Sequence, residues 1–174
     1  MKRLLVVVDM QNDFISGALG TEEAALIIPA VEEAVTRAEA QGVTVVFTKD
    51  THFDNYMDTQ EGKKLPVPHC IKGTEGFEIC KELLCHAADK KIFEKGTFGS
   101  TELMEYVKKE GYEEITLCGL CTDICVISNA MLVKAALPEA CVKVLARACA
   151  GVTPESHKNA LSAMAMCQME IVEE

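Results

Sequence analysis

Hydrophobic runs of strand length alternate along this chain with longer stretches of helical period, the pattern of a parallel sheet with helical crossovers. Six strand candidates stand out: Leu4 to Val8, Val43 to Thr48, Lys91 to Phe93, Ile115 to Cys118, Val142 to Leu145 and Met169 to Val172. Between them, Thr21 to Gln41, Thr101 to Glu110, Thr122 to Leu137 and Pro154 to Cys167 read as helices. Thr21 ahead of Glu22 and Glu23, Gly42 and Gly111 behind two helices, and Pro154 in a first turn are the corresponding start and stop signals. The expected fold is a Rossmann-like three-layer α/β/α sandwich on a mainly parallel six-stranded sheet. A length of 174 residues fits one domain over residues 1–174, since domains usually run about 100 to 200 residues.

Charge and composition narrow the partners. Seventeen Lys and Arg against 27 Asp and Glu give a net charge of −10, which repels phosphate backbones and anionic lipid, so neither nucleic acid nor a membrane is expected as a partner. The run Leu4 to Val8 is far shorter than the ~20 residues of a membrane span, and Asp9 ends it too early for a secretory signal. Nine cysteines, an odd number and several inside apolar runs, read as free thiols in a reducing compartment. A cytoplasmic location is expected. The stretch Asp50 to Asp89 breaks both periods with Pro66, Pro68, Gly62, Gly73 and Gly76, and Phe77 to Leu84 is its helical candidate. An excursion of that size in a compact domain points to function.

In open parallel sheets ligands bind beyond the carboxyl ends of the strands, so the residues at those ends matter most. The first strand ends in Asp9, the second in Lys49-Asp50-Thr51-His52, the third in Glu94-Lys95, and the fourth runs through Gly119 to Cys121 and Cys125. With Thr122 capping a helix that begins at Asp123, Cys125 lies in its first turn, where free N–H groups and the helix dipole lower a thiol pKa. Asp9 is then the candidate proton acceptor and Lys95 the candidate ammonium partner. The alternative makes Cys125 one more small buried residue and Asp9 a turn cap; spacing alone does not separate the two.

Asp50 and His52 alternate along a strand and so share a face. His69, in the turn Pro66-Val67-Pro68-His69-Cys70, can complete three ligands with open positions, the form of a catalytic or substrate-binding divalent site. Zinc, manganese and iron all suit an Asp and two His. The alternative is a pair of loop histidines without an ion. Cys118, Cys121 and Cys125 do not converge as a cluster, because the first lies in a strand and the last on a helix. Cys121 near Cys125 leaves open a redox-sensing pair, and with it a sensor in place of an enzyme. His86 and His157 fall on helical stretches as surface or core residues, and no phosphate-binding glycine loop follows the first strand.

The segments Val7-Val8-Asp9-Met10-Gln11-Asn12-Asp13-Phe14, Lys95, Gly119-Leu120-Cys121-Thr122-Asp123-Ile124-Cys125-Val126 and Ala148-Cys149-Ala150-Gly151-Val152-Thr153-Pro154-Glu155 resemble the isochorismatase-like cysteine hydrolase superfamily essentially end to end. Asp50-x-His52 with Pro68-His69-Cys70-Ile71-Lys72-Gly73-Thr74 resembles the metal site of its nicotinamidase branch. The resemblance implies Cys125 as nucleophile, Asp9 as general base and acid, and Lys95 as electrostatic partner. It implies a cis peptide between Leu120 and Cys121 and an oxyanion hole from the backbone N–H groups of Cys121 and Cys125. It also implies a divalent ion, zinc first, on Asp50, His52 and His69, a small amide as substrate, and assembly as a homo-oligomer. Nicotinamide is the leading substrate, with N-carbamoyl or ureido compounds as the alternative. Thr51 stands where the branch carries Trp, the chain has no Trp, and Arg147 replaces a common Asp. Phe14 and Tyr56 are the candidates for ring contacts with the substrate.

Overall fold

The computed structural model describes residues 1–173. Six strands form one sheet: β1 (Arg3–Val8), β2 (Thr44–Asp50), β3 (Lys91–Lys95), β4 (Glu114–Leu120), β5 (Cys141–Ala150) and β6 (Glu170–Val172). Their order is β3-β2-β1-β4-β5-β6, and every neighbouring pair is parallel. Leu4 to Val8 are all buried, as expected of a central strand covered on both faces. The helices are α1 (Asn12–Ile15), α2 (Glu22–Leu26), α3 (Ile28–Ala40), α4 (Gln60–Lys64), α5 (Leu84–Ala87), α6 (Thr101–Glu110), α7 (Ile127–Ala136) and α8 (Pro154–Met166).

From β1 the chain moves outward to β2 and β3, then returns to β4 and continues the other way to β5 and β6. Right-handed crossovers in opposite directions put their helices on opposite faces. Thus α3 packs on β1, β2 and β5, while α7 and α8 cover the far side of β5. The reversal between β1 and β4 is the topological switch point, where a crevice opens beyond the carboxyl ends.

Several boundaries differ from the sequence pattern for identifiable reasons. The stretch Thr21 to Gln41 is two helices, α2 and α3, separated at Ile27, with Pro29 in the first turn of α3. Proline cannot donate the backbone hydrogen bond that a continuous helix needs there. The expected helix from Phe77 to Leu84 is absent: a 3-10 turn covers Glu75–Phe77 and α5 begins at Leu84. Between them the backbone is taken by the loop after β1, with Asn12 N–H donating to Glu78 O and Cys80 N–H to Met10 O. The stretch beginning at Thr122 opens as a π-helical turn, Thr122–Val126, before α7 continues. β2 and β3 each extend beyond the hydrophobic run, to Asp50 and Lys95, which are register partners.

Gly119 shows how tightly the two central strands approach. Its φ is +113°, and a Cβ there would lie 2.1 Å from the carbonyl oxygen of Val8. Gly119→Ala therefore meets both a left-handed backbone and a main-chain clash, and is expected to destabilise the protein by more than about 3 kcal/mol. A fall in the urea midpoint measures it, and an unchanged midpoint refutes the account. Among the described residues no helix is long and apolar enough to cross a membrane.

Candidate active site

The carboxyl ends of β1, β2 and β3 bring three charged side chains into the interior. Asp9 follows β1 directly at φ +48°. Its N–H donates to Thr48 O at 3.2 Å, and Thr48 Oγ1 donates to Asp9 Oδ1 at 2.6 Å. Lys95, the last residue of β3, places Nζ 2.6 Å from Asp9 Oδ2, 3.4 Å from Asp50 Oδ1 and 3.5 Å from Cys125 Sγ. The same ammonium donates to Thr97 O at 3.1 Å. Asp9, Asp50, Lys95 and Cys125 are all buried. Oδ2 of Asp9 faces the Lys95 ammonium at 2.6 Å, a charge-assisted contact between two buried groups.

Burial sets the proton affinities. It raises the Asp9 pKa, with Lys95 pulling back and Asp50 adding to the rise. Burial opposes the charge on Lys95, yet Asp9, Cys125 and Asp50 outweigh it and hold the ammonium firmly protonated. The Cys125 thiol is pushed well above its ordinary range, first by burial and then by the Asp9 charge, against the pull of Lys95. The lowered thiol pKa expected at a helix N-terminus is therefore corrected. Cys125 sits in a π turn that leads into α7, and its sulfur is enclosed beside a carboxylate, which outweighs the helix N-terminus. Its resting form is the thiol, with a carboxylate made more basic by burial next to it.

The π turn also disposes the backbone donors. Cys121 O accepts from the N–H groups of Ile124 and Val126 and passes over that of Cys125 between them. A π turn of this kind is common at functional sites because it reorients local backbone groups. The Leu120–Cys121 peptide is cis, as the resemblance implied. Two contacts anchor the turn from outside: Thr122 Oγ1 lies 2.7 Å from His157 Nδ1, and the Asp123 carboxylate accepts from Val152 N–H at 3.2 and 3.3 Å. His157, expected as a surface or core residue, is thus tied to the turn that carries Cys125.

Beside this cluster, Asp50, His52, His69 and Glu61 each bring a ligand atom to within 4.8 Å of the others. His52 Nε2 lies 3.0 Å from Asp50 Oδ2 and 3.7 Å from Glu61 Oε1; His69 Nε2 lies 3.4 and 3.7 Å from the same atoms. A parallel bridge between His52 and Ile71 brings the turn holding His69 alongside. His69 Nδ1 donates to Val67 O at 2.8 Å, which leaves Nε2 as the atom facing the carboxylates. A neutral imidazole would aim a lone pair at carboxylate oxygens there, an arrangement that asks for a cation between them. Burial opposes ionisation of Asp50, but His52, His69 and Lys95 outweigh it and hold its carboxyl well below the usual range. Two imidazoles and two carboxylates fit a divalent ion such as zinc.

Sequence reasoning missed Glu61 and Gln11. Glu61 lies in the short α4 with no spacing to distinguish it from other acidic residues. Gln11 is fully buried; its Nε2 donates to Asp50 O and Phe77 O, and its Oε1 accepts from Asp50 N–H. Tyr56, expected to contact substrate, packs against the two histidines. It is only 1% exposed, its ring centroid is 4.8 Å from that of His52 and 5.1 Å from that of His69, and its hydroxyl donates to Leu65 O. It braces the histidines. Phe14 presents its ring edgewise to His69 at 5.6 Å.

Residues 3–173 match the Isochorismatase domain family. The chain belongs to the isochorismatase family. Within it, the chain is 29% identical to the nicotinamidase/pyrazinamidase of Mycobacterium tuberculosis, with 98% of each chain covered. It superimposes with a TM-score of 0.87 on the nicotinamidase/pyrazinamidase of Bacillus subtilis, at 30% identity over 99% of this chain and 100% of that one. A pyrazinamidase of Pyrococcus horikoshii, solved in complex with zinc, gives 0.86 at 30% identity over all of both chains. These likenesses place this isochorismatase-family member in the nicotinamidase branch.

The raised thiol pKa has a direct consequence. In metal-free protein, alkylation of Cys125 by iodoacetamide, followed by peptide mass spectrometry, should stay slow at neutral pH. It should rise only above the ordinary thiol range near ~8.5. A rate that has already reached its plateau at neutral pH would mean a resting thiolate and would overturn this account.

Proposed function

We propose that this isochorismatase-family hydrolase cleaves the carboxamide of nicotinamide, or a close heteroaromatic analogue, into the acid and ammonia through a thioester on Cys125. The observation that carries the reading is the buried contact of Lys95 with Asp9 and Cys125, placed beside a four-residue group able to hold a divalent ion. A redox or metal sensor has no use for a buried carboxylate and ammonium gathered beside the thiol.

In this mechanism Asp9 takes the thiol proton as sulfur attacks the amide carbon. The tetrahedral oxyanion receives the N–H groups of Cys121 and Cys125. Collapse breaks the C–N bond, and Asp9 passes its proton to the departing nitrogen, which leaves as ammonia. Asp9 next takes a proton from water as the oxygen attacks the thioester carbon, and returns it to sulfur when the acid is released. Lys95 stays protonated throughout and keeps Asp9 and Cys125 within reach of each other. Asp50, His52, His69 and Glu61 would hold a divalent ion, zinc first and manganese or iron as alternatives, which would supply Lewis acidity beside the substrate. Phe14 supplies an apolar edge beside it. The nine free thiols suit the reducing cytoplasm.

Ammonia release from nicotinamide, pyrazinamide and a panel of carbamoyl and ureido compounds tests the reading. Metal-replete enzyme should turn over the pyridine and pyrazine amides, and Cys125→Ala should lose about 10³-fold or more of that rate. Chelation should abolish turnover and added zinc should restore it. Glu61→Gln should weaken metal retention by about ten- to a hundredfold without removing Cys125 alkylation. Turnover confined to carbamoyl or ureido compounds would move the substrate while keeping the mechanism. A flat panel with zinc bound would defeat the assignment.

A further inference from the structure

Lys95 and Cys125 reach the site from different segments. Lys95 ends β3 and is followed by the loop Gly96 to Ser100, whereas Cys125 lies in the π turn that leads into α7. One side chain joins the two. Asn129, fully buried one turn beyond Cys125, donates from Nδ2 to Cys125 O at 2.8 Å and to Phe98 O at 3.2 Å, while its Oδ1 accepts from Ser100 N–H at 2.9 Å. The partners fix the amide's orientation, because a backbone carbonyl can only accept and a backbone N–H can only donate.

We infer that Asn129 is a positioning residue for the reaction, clamping the loop that orients Lys95 against the turn that carries Cys125; the inference rests on the mechanism proposed above. The loop is short and its groups are used on both sides of the clamp. Thr97, next to Phe98, offers its carbonyl to the Lys95 ammonium at 3.1 Å. Ser100, whose N–H enters the clamp, caps α6 by accepting Leu103 N–H at 3.1 Å on its hydroxyl. Gly99 between them lies so close to α7 that a Cβ would stand 2.7 Å from Leu132 Cδ1. The loop therefore sits directly on the helix that follows the nucleophile, and the Asn129 amide holds it there through hydrogen bonds to both segments. The dependent quantity is the 3.5 Å separation of Lys95 Nζ from Cys125 Sγ. Small displacements of reacting groups cost rate far more than they cost binding.

Asn129→Asp keeps the shape and the acceptor for Ser100 N–H, but turns an oxygen toward two carbonyl oxygens. Asn129→Ser removes both arms and leaves room for water, so one of the pair is available if the other folds poorly. With either variant, kcat for amide hydrolysis should fall about tenfold while KM stays within about twofold. The alkylation of Cys125 by iodoacetamide, measured without substrate, should slow by a similar factor, at a temperature where circular dichroism shows the variant folded. A residue that merely stabilises the fold would lower the melting temperature and leave both rates of the folded protein unchanged. That result, or a rise in KM at constant kcat, would overturn the inference. If the parent enzyme hydrolyses no amide in the panel yet alkylation slows in the variants, the substrate assignment fails and the positioning role stands.

Discussion

The Lys95 ammonium is the interaction on which the rest of the site depends. It is buried with two carboxylates and a thiol around it, at 2.6 Å from Asp9, 3.4 Å from Asp50 and 3.5 Å from Cys125. A buried charge without partners is strongly unfavourable, and removing one partner of such a pair costs about 3 to 5 kcal/mol. Each of these groups is therefore a condition for the others. Asp9 and Asp50 can remain carboxylates in the interior because the ammonium lies between them, and the ammonium can be buried because they do. The fold meets that condition through register: Asp50 and Lys95 are partners at the ends of adjacent parallel strands, and Thr51 N–H donates to Lys95 O just beyond them.

The same charge balance links the nucleophile to the neighbouring four-residue group. Asp9, Asp50 and Glu61 contribute three carboxylates against the one ammonium, which leaves two negative charges when the histidines are neutral. A divalent cation would offset both charges. Asp50 belongs to both halves, with Oδ1 toward Lys95 and Oδ2 toward the two histidines. Gln11 fixes that shared residue from behind by pairing with its backbone N–H and C=O. Any change at Asp50 should consequently be felt both at Lys95 and at the two histidines.

Much of this was legible in the sequence because strand ends are legible. Period and apolar content located all six strands, and the rule that ligands gather at carboxyl ends selected Asp9, Asp50, His52, Lys95 and Cys125 before any contact was known. His69, in the turn around Pro68, was a candidate third ligand from the residues alone, and the His52–Ile71 bridge is what folds that turn back onto His52. What stayed hidden was decided by tertiary contacts. The π turn differs from an α-helix by one hydrogen-bond step that no residue type announces, and the burial and Asp9 charge that raise the Cys125 pKa are tertiary effects. Glu61 is an acidic residue in a five-residue helix, and only the path of the Asp50 to Asp89 excursion turns it inward. The packing of Tyr56 against His52 and His69 is likewise not encoded locally.

The excursion itself explains how so irregular a segment can present a fixed group of imidazoles and carboxylates. Its backbone polar groups are not left to a regular ladder, so each must find a tertiary partner when buried. Asn12 and Cys80 tie it to the end of β1, the His52–Ile71 bridge ties it to the end of β2, and the Asp13 carboxylate accepts Cys70 N–H at 2.7 Å. The segment is thereby anchored at the two strands that already present Asp9 and Asp50. Rigid strands set the proton chemistry, and the anchored loop brings two imidazoles and a carboxylate up to it. Changes within the loop can then alter the four-residue group without disturbing the Asp9, Lys95 and Cys125 contacts.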